Sequence, residues 1–377
     1  MLDLTETVVA PAKAELFGRL MSGSGPCVYV VGRNKYAQRV SRVVPVEGYV
    51  DDFTDEKMYL GKPVIRMAEL PRDCLVVSCV VNARPLTAID RLRAAGAWQM
   101  IDYCMLSRLA PTVFAPVDYC ADGGQDIREN ISRYEWVFNR LADETSKQHF
   151  AKVLQFRLTM DLEHMRGFSL TVDHQYFEDF VNLQTGDVFV DGGGYDGETS
   201  SRFAARNKHY RRIHYFEPAP AMMAVSKRTL AGLRDVRFVQ KGLFSRNTRL
   251  AFDAEGGDAS RLSATGHTHI DVVCLDEEVP EPVTFLKLDI EGAEHEAIQG
   301  AAGHIRSNTP QMAVCIYHDQ RDFWRIPLRV LEINDAYRLY VRHYSEGVLE
   351  TVMFFLPVNP PRWPAPSVAE RRTHPCG

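Results

Sequence analysis

The sequence predicts an α/β protein in which two parallel-sheet units are joined by a helical segment. Short apolar runs alternate with helix-like segments over residues 27–110, and the same alternation resumes at residue 186. Alternating strands and helices are typical of parallel sheets with crossover helices. Between these regions, apolar residues spaced three and four apart predict amphipathic helices. The 377 residues are enough for two to three domains of about 150 residues each.

The composition limits the classes of function. Net charge is −5 and no block of like charge occurs, which argues against a nucleic-acid partner. Asp3 and Glu6 near the start, and the lack of a long apolar stretch, predict neither a secretory leader nor a membrane span. Eight cysteines without a C-x-x-C pair indicate reduced core thiols in a cytoplasmic protein, with a metal or disulfide framework as the alternative.

The first unit is predicted as a Rossmann-like domain over residues 1–110. Its strands are expected at 27–32, 46–52, 74–81 and 99–104. The turn after the first strand, GRNKYA at 32–37, has one glycine where a nucleotide-binding loop usually has several. Two interpretations therefore remain: a structural or partner-docking domain, which this turn favours, and a binding site for a sugar nucleotide or similar ligand.

The rest of the chain divides into a predicted helical bridge, a second sheet domain and a tail. The bridge covers residues 111–185, the domain 186–357, and a Pro-rich tail 358–377 that we expect to be disordered. Strands of this domain are expected at 187–193, 213–218, 236–242, 283–290, 312–318, 337–344 and 350–357. A polar insert occupies 245–270, and a short SEG turn predicts that the last strand is antiparallel. Seven strands ending this way are the sheet of class I methyltransferases.

A glycine-rich turn follows the first strand of this domain, in VFVDGGGYDGETS at 188–200. Gly192, Gly194 and Gly197 match G-x-G-x-x-G, a dinucleotide fingerprint. A pyrophosphate needs backbone N–H groups and no nearby anions. The turn instead carries three carboxylates, those of Asp191, Asp196 and Glu198, and each would repel a pyrophosphate by about 1 kcal/mol or more.

The charge pattern of the turn favours S-adenosylmethionine, which has no phosphate and carries a sulfonium and an ammonium. Asp191 can face the cationic part of that cofactor. Glu217, at the end of the second strand, can accept hydrogen bonds from both ribose hydroxyls. Because Gly197 and Glu217 are 20 positions apart, the spacing also suits NAD. An NAD(P)- or nucleotide-sugar-dependent oxidoreductase is therefore the alternative, and a non-catalytic binding protein is a third reading.

Residues 130–357 resemble the FkbM family of S-adenosylmethionine-dependent methyltransferases. The motifs that carry the resemblance appear in family order: FVDGGGYDGETS, YFEP, GLFS, LKLDIEGAEHEAIQGA, IYHDQRDFWRIPL and YRLYVRHYSEGVLETVMFF. At Gly194 the family commonly has alanine, a conservative departure. The resemblance implies methyl transfer to a hydroxyl of a sugar, glycan or secondary metabolite. The partner would be a small-molecule or glycan acceptor, and a homo-oligomer is compatible with the sequence.

The resemblance and the loop together predict the cofactor-binding residues. They are Asp191, Gly192, Gly193, Gly194, Tyr195, Gly197, Thr199, Glu217, Pro218, Leu243, Phe244 and Asp289. Leu243 and Phe244 would pack near the adenine. Lys287 is unusual inside an apolar strand, and it is predicted either to be ion-paired or to act near the reaction centre.

The predicted catalytic residues lie at the carboxyl ends of strands, where open α/β sheets bind ligands. They are His318, Asp289 and Glu291. A sugar hydroxyl is a weak nucleophile, so we expect neutral His318 to act as general base, with a purely structural histidine as the alternative. Asp289, His318 and Asp319 resemble the magnesium site of other class I O-methyltransferases, but histidine does not suit magnesium, so no metal site is predicted although a divalent ion stays possible. Trp324 is expected to stack on a sugar or to pack in the core.

Overall fold

The computed structural model describes residues 1–253, 261–262 and 268–359. These residues belong to two compact units, each built from several segments of the chain. The first unit contains 1–131, 148–172 and 343–350. The described part of the second unit contains 132–147, 173–342 and 351–359, without 254–260 and 263–267. Nearly all of the predicted disordered tail lies outside the described residues.

The predicted helical bridge is not a unit of its own. Residues 111–131 and 148–172 belong to the first unit, whereas 132–147 and the residues from 173 onward belong to the second. Residues 343–350, predicted inside the second domain, also belong to the first. Local periodicity finds helices, but it carries no information about which distant core each helix joins, so these boundaries needed the tertiary structure.

Seventeen strands occur among the described residues, more than the number of strands that the sequence predicted. They are β1 Val28–Val31, β2 Gly48–Val50, β3 Met58–Tyr59, β4 Lys62–Ile65, β5 Leu75–Ser78, β6 Met100–Asp102, β7 Val188–Gly192, β8 Arg212–Phe216, β9 Val236–Val239, β10 Gly242–Phe244, β11 Thr248–Asp253, β12 Arg261–Leu262, β13 Thr268–Cys274, β14 Phe285–Leu288, β15 Gln311–Cys315, β16 Tyr337–His343 and β17 Thr351–Pro357.

Thirteen α-helices accompany these strands in the described part of the chain. They are α1 Pro11–Ser22, α2 Lys35–Val43, α3 Pro85–Ala94, α4 Tyr103–Leu109, α5 Gly123–Glu129, α6 Ile131–Phe138, α7 Glu144–Thr159, α8 Glu198–Arg206, α9 Pro220–Thr229, α10 Leu275–Glu278, α11 Glu294–Gly300, α12 Ala302–Ser307 and α13 Asp322–Ile333. The three- and four-residue spacing that predicted helices in the 130–160 region is confirmed by α6 and α7.

The second unit contains a seven-stranded sheet in the order β16-β17-β15-β14-β7-β8-β9. From β15 through β14, β7 and β8 to β9 every neighbouring pair is parallel. Strand β17 runs antiparallel to β15. The α/β class and the antiparallel last strand are thus confirmed, and the carboxyl ends of β7, β8, β14 and β15 lie along one edge of the sheet.

Fully buried apolar strands hold this edge in place. Strands β7 and β14 are buried along their whole length. Phe189 on β7 stacks on Phe203 of α8 with ring centroids 4.4 Å apart, and its centroid lies 5.2 Å from that of Phe285 on β14. Aromatic burial of this size dominates the energetics of a core. The loops that follow β7 and β14 therefore start from rigid supports.

The polar insert contains structure that the sequence did not predict. Strands β10, β11, β12 and β13 form a four-stranded sheet in the order β10-β13-β11-β12. Strand β11 is antiparallel to both β12 and β13, whereas β10 is parallel to β13. Residues 254–260 and 263–267 of the insert lie outside the described residues. Strand β11 has the sequence TRLAFD, and its polar residues at both ends make the strand short and weak as a sequence pattern.

The first unit is a six-stranded sheet in the order β3-β4-β2-β1-β5-β6. Its β1, β2, β4, β5 and β6 are joined by parallel pairings, as the Rossmann-like prediction required. The antiparallel β3–β4 pair at one edge was not predicted. Over the residues that the structure describes, no helix combines the length and the apolar character needed to cross a membrane.

Residues 343–350 are integrated into the first unit through Glu346. The Thr87 N–H and hydroxyl, in the first turn of α3, donate to the two Glu346 carboxylate oxygens at 2.7 and 2.5 Å. The Glu346 N–H donates to the Ala83 carbonyl at 2.9 Å. A Cβ on the next residue, Gly347, would lie 1.8 Å from the Asn82 carbonyl oxygen. Close backbone contact and a carboxylate cap therefore attach this segment to the start of α3.

Replacing Glu346 by Ala is expected to lower the free energy of unfolding by about 1–2 kcal/mol, because the capping interactions are lost at a buried position. Denaturant titration measures the loss. Glu346→Gln keeps one acceptor oxygen and should lose less, and Glu15→Ala on an exposed face of α1 serves as the neutral control. Equal stabilities for Glu346→Ala and Glu15→Ala would contradict the capping role.

Candidate cofactor and acceptor site

The glycine-rich turn connects β7 to α8 at the carboxyl edge of the seven-stranded sheet. Gly193 and Gly197 have φ values of +73° and +90°, in the region that favours glycine. A Cβ on Gly193 would lie 1.8 Å from the Asp289 carbonyl oxygen. Both the Gly193 and Gly194 N–H groups donate to the Phe216 carbonyl at 3.0 Å. The turn is therefore closely packed between the ends of β8 and β14.

Gly194 is required by a neighbour that the sequence did not identify. A Cβ at this position would lie 2.0 Å from the ring of Tyr215, whose hydroxyl donates to the Tyr195 carbonyl at 2.7 Å. Alanine, common here in the family, would displace that ring. The departure at Gly194 is therefore less conservative than the sequence alone implied, because Tyr215 occupies the space of the methyl group.

Asp191 is directed into the protein and not toward a cofactor. Its carboxylate is fully buried, accepts a hydrogen bond from the Ser200 hydroxyl at 2.7 Å and lies 3.1 Å from the Lys287 ammonium. The predicted contact of Asp191 with the cationic part of the cofactor would have to compete with this pairing. Lys287 balances the charge of Asp191, because a buried carboxylate requires a partner.

The side chain of Lys287 holds the glycine turn by donating hydrogen bonds to the backbone of the turn. Its ammonium donates to the Gly193 carbonyl at 2.6 Å and to the Gly192 carbonyl at 3.2 Å. Burial opposes the charged form, yet the carboxylates of Asp191 and Asp289 outweigh it and raise the pKa of Lys287. Of the two predicted roles the structure has the ion-paired one, and this lysine organises the turn.

Glu217 links the same turn to the end of β8. Its two carboxylate oxygens accept the N–H groups of Tyr195 at 3.1 Å and Ala219 at 2.7 Å. Burial raises the pKa of Glu217, and these two donors partly offset that effect. Carboxylate oxygens carry more than one lone pair, so the group can still accept hydrogen bonds from a ligand.

The remaining predicted cofactor residues lie around this turn. Leu243 of β10 is buried, and a Cβ on Gly192 would lie 2.9 Å from its Cδ1 atom. Thr199, Pro218 and Phe244 are partly exposed, and Tyr195 is exposed. All predicted cofactor positions therefore lie at or beside the ends of β7, β8 and β14 or in β10.

A second group of polar side chains forms what we term the carboxylate–imidazole cluster: Asp289, Glu291, Glu294 and His318. The His318 Nδ1 atom lies 2.9 Å from Glu294 Oε1. Its Nε2 atom lies 3.4 Å from Glu291 Oε2 and 3.6 Å from Asp289 Oδ1. One ligand-type atom from each of Asp289, Glu294 and His318 lies within 4.8 Å of the other two. The structure thus brings the three predicted catalytic residues together.

Glu294 is the member that sequence reasoning missed as a site residue. It is fully buried and accepts the N–H groups of Ile290 at 2.8 Å and Gly292 at 3.0 Å. Glu291 and Gly292 have positive φ values of +57° and +98°. The sequence signal for this role was the spacing D-I-E-G-x-E. We assigned Glu294 to the apolar face of a helix, whereas in the structure it closes the turn after β14 and holds His318.

The charges of the cluster act against the predicted role of His318 as a neutral base. Burial disfavours the imidazolium, but the carboxylates of Glu294, Asp289 and Glu291 outweigh it and raise the pKa of His318 to about 10. These carboxylates therefore favour the protonated form of the imidazole. A protonated imidazole orients and charges its neighbours instead of accepting a proton.

Asp289 remains ionised in these surroundings. Burial alone would raise its pKa, but the positive charges of Lys287 and His318 and a hydrogen bond from Tyr176 lower it. The Tyr176 hydroxyl donates at 2.8 Å and the Tyr317 hydroxyl at 3.3 Å. Tyr176 has φ +72° and was not predicted, because only the fold brings its loop to the end of β14.

Asp319 does not join the cluster. Its carboxylate accepts from the Arg321 guanidinium at 2.6 and 3.0 Å and lies 3.6 Å from Arg325. The resemblance to a magnesium site built on Asp289, His318 and Asp319 therefore fails at its third member. Two arginines already neutralise the charge of this carboxylate.

The aromatic residues of the QRDFWRIP segment differ in exposure. Phe323 is fully buried and belongs to the core. Trp324 is partly buried, and the Arg133 guanidinium lies 4.0 Å from its ring centroid, a cation–π contact. Trp324 thus has one occupied face, so stacking on a sugar stays a prediction.

Within the first unit, the two helix N-termini at which a nucleotide phosphate would bind are already capped. Asn34 accepts the Tyr36 and Ala37 N–H groups at the start of α2 and donates to the Cys79 carbonyl at 2.8 Å. Glu346 caps α3, as described above. A side chain at each terminus competes with a phosphate for the same N–H groups, which weakens the nucleotide-binding interpretation of this unit.

Comparisons with known proteins identify a matching domain model and a similar fold. Residues 191–346 match the model of the Methyltransferase FkbM domain. The crystal structure of methyltransferase FkbM from Methylobacillus flagellatus KT is similar over 92% of this chain and 94% of that one, with 24% identity and a TM-score of 0.73. An rRNA methylase from Streptococcus thermophilus aligns over 46% of this chain and 88% of that one, with 13% identity and a TM-score of 0.32. No curated protein sequence matches the chain.

Proposed function

Because residues 191–346 match the model of the Methyltransferase FkbM domain, we propose that this protein transfers the methyl group of S-adenosylmethionine to a hydroxyl of a sugar, glycan or related metabolite. The observation that carries the cofactor assignment is the glycine turn between β7 and α8, with Glu217 bound to the Tyr195 N–H. Because Lys287 neutralises Asp191, the charge of this carboxylate does not separate S-adenosylmethionine from a pyrophosphate cofactor, and the titration below compares the two.

Cofactor binding follows from the groups that this turn presents. Gly192, Gly193 and Gly194 let the turn pack against Leu243, the end of β14 and Tyr215, which places the backbone of the turn beside Glu217. Glu217 would accept the ribose hydroxyls through its remaining lone pairs, and Leu243 would pack on the adenine. These roles use atoms whose positions are held by Lys287 and by the end of β8, so little reorganisation accompanies binding.

The methyl transfer itself needs positioning more than activation. The sulfonium–carbon bond breaks as the bond between the acceptor oxygen and the methyl carbon forms, and holding the two in line can supply several kcal/mol, about 7 or more in favourable cases. The hydroxyl must lose its proton. Glu291 is the most exposed carboxylate of the cluster, with 31% of its side chain accessible against 24% for Asp289, so we assign it as the proton acceptor. His318 would hold it in place through charge.

The state of the cysteines bears on the compartment in which the proposed enzyme works. All described cysteines are free thiols, and all of them except Cys27 are buried. Buried thiols without disulfides are typical of a reducing compartment. We therefore propose a cytoplasmic enzyme that meets a soluble acceptor.

Calorimetric titration with S-adenosylhomocysteine tests the cofactor assignment. Micromolar binding is expected, and Glu217→Ala should weaken it by about 10- to 100-fold, since hydrogen bonds to a charged group are lost. Glu198→Gln, an exposed carboxylate in the first turn of α8, is the matched control. NADH and a nucleotide sugar are titrated in parallel. A signal with either of these and none with S-adenosylhomocysteine would overturn the proposal in favour of the oxidoreductase alternative.

A further inference from the structure

The carboxylate–imidazole cluster has the arrangement of a metal centre. Ligand atoms bonded to one small divalent ion at about 2.1 Å lie about 3.0 to 3.4 Å apart for octahedral or tetrahedral geometry. The His318 Nε2 atom lies 3.4 Å from Glu291 Oε2 and 3.6 Å from Asp289 Oδ1, close to that spacing. These three groups also come from two different loops, after β14 and after β15, so the sheet itself brings them together.

The other nitrogen of His318 supports the same interpretation. Histidines that bind a metal almost always direct their second ring nitrogen at a carboxylate or carbonyl, which fixes the ring. The Nδ1 atom of His318 lies 2.9 Å from the fully buried carboxylate of Glu294. Glu294 is in turn held by the N–H groups of Ile290 and Gly292. The imidazole is therefore oriented from behind, with Nε2 directed at Asp289 and Glu291.

Burial of the cluster is graded in the way that a binding site requires. The side chains of His318 and Glu294 are 1% and 0% exposed, whereas those of Asp289 and Glu291 are 24% and 31% exposed. The support is closed and the ligand oxygens are open to solvent. Asp289 is further positioned by hydroxyl donors from Tyr176 and Tyr317, as outer groups position metal-binding carboxylates.

From this geometry we propose that Asp289 and the Nε2 atom of His318 bind one divalent transition-metal ion, which takes the place of the proton on Nε2, that Glu291 completes the site as a third ligand, and that Glu294 orients His318. An imidazole with two carboxylates suits Mn²⁺, Fe²⁺ or Zn²⁺ better than Mg²⁺, because Mg²⁺ prefers ligands that are all oxygen. Use of the ion in catalysis rests on the proposed function. A metal-bound acceptor hydroxyl is more acidic, and Glu291, binding the ion through one oxygen, keeps its second oxygen for the proton.

Mn²⁺ titration of the full-length protein, followed by the loss of the electron paramagnetic resonance signal of free Mn²⁺, tests the proposal. One ion per chain is expected in the wild type. Glu291→Gln should weaken binding by about tenfold or more, because a ligand is lost. Glu296→Gln, a partly exposed carboxylate of helix α11 outside the cluster, is the matched control and should bind as the wild type does. Mg²⁺ should compete poorly.

Two results would overturn the metal site: no binding below millimolar Mn²⁺, or equal weakening by Glu291→Gln and Glu296→Gln. Calorimetry with S-adenosylhomocysteine on the same variants separates this inference from the proposed function. Retained S-adenosylhomocysteine binding without Mn²⁺ binding removes the metal and leaves the methyltransferase proposal. Mn²⁺ binding without any S-adenosylhomocysteine binding removes the cofactor assignment and leaves the metal site.

Discussion

Replacing Lys287 by Met is expected to lower the free energy of unfolding by about 3–5 kcal/mol and to abolish S-adenosylhomocysteine binding. The fully buried Asp191 carboxylate would lose its ionic partner, and removing one member of a buried pair has effects of this size. The Gly192 and Gly193 carbonyls would lose the donor that holds the glycine turn. Denaturant unfolding and calorimetry measure the two effects.

Two further variants separate the buried charge from a general loss of lysine. Lys241→Met removes a surface lysine that lies 3.0 Å from Glu278, and it should cost less than about 1 kcal/mol. Combining Lys287→Met with Asp191→Asn removes both charges and should recover part of the lost stability. A Lys287→Met protein as stable as the Lys241→Met control would show that the pair does not hold the turn.

Gly193→Ala is expected to have the second largest effect. A methyl group there would lie 1.8 Å from the Asp289 carbonyl oxygen, and neither backbone segment can move without disturbing β7 or β14. The substitution also places alanine at φ +73°, which alone costs about 1–2 kcal/mol. We expect a total loss above about 3 kcal/mol in unfolding free energy, together with loss of S-adenosylhomocysteine binding.

Gly61→Ala distinguishes the contact from the backbone strain. Gly61 has a similar φ of +74°, but a Cβ there would meet no atom within 4 Å. Its substitution should cost about 1–2 kcal/mol by strain alone and leave S-adenosylhomocysteine binding unchanged. Equal losses for the two variants would mean that φ strain, and not contact with the end of β14, explains the requirement for glycine in the turn.

The substitutions at Lys287 and Gly193 affect the same strand ends in different ways. Lys287 holds the turn by donating to its carbonyls from β14, whereas Gly193 permits the turn to approach the residue after β14. Asp289 contributes its carbonyl to that approach and its carboxylate to the carboxylate–imidazole cluster. The cofactor turn and the cluster are therefore mechanically connected through the end of one strand.

The sequence by itself predicted the seven strands of the larger sheet in the second unit and the glycine turn at its edge. Buried strands are continuous apolar runs, and glycines mark the one turn where side chains cannot fit, so both signals are local. The carboxyl ends of parallel strands lie at one edge, which is why His318, Asp289 and Glu291 could be grouped before their distances were known. The FkbM resemblance is local in the same sense, because its motifs lie on those strand ends.

Only the tertiary structure decided the charge states and partners of these residues. Asp191 was expected to face a ligand and instead pairs with Lys287, a contact between two strands. His318 was expected to be neutral, but carboxylates from the turn after β14 lie around it and raise its pKa. A residue's pKa depends on burial and on charges within a few ångströms, and neither can be deduced from local sequence.

The same reason explains the domain boundaries. Glu346 was placed in the methyltransferase hairpin by sequence order, yet its carboxylate caps a helix 259 positions earlier in the chain. Periodicity reports which face of an element is apolar and does not report which surface covers it. Strands, helices and the glycine turn could therefore be predicted from the sequence, whereas the pairing of buried charges and the assignment of segments to units followed from contacts between residues far apart in the chain.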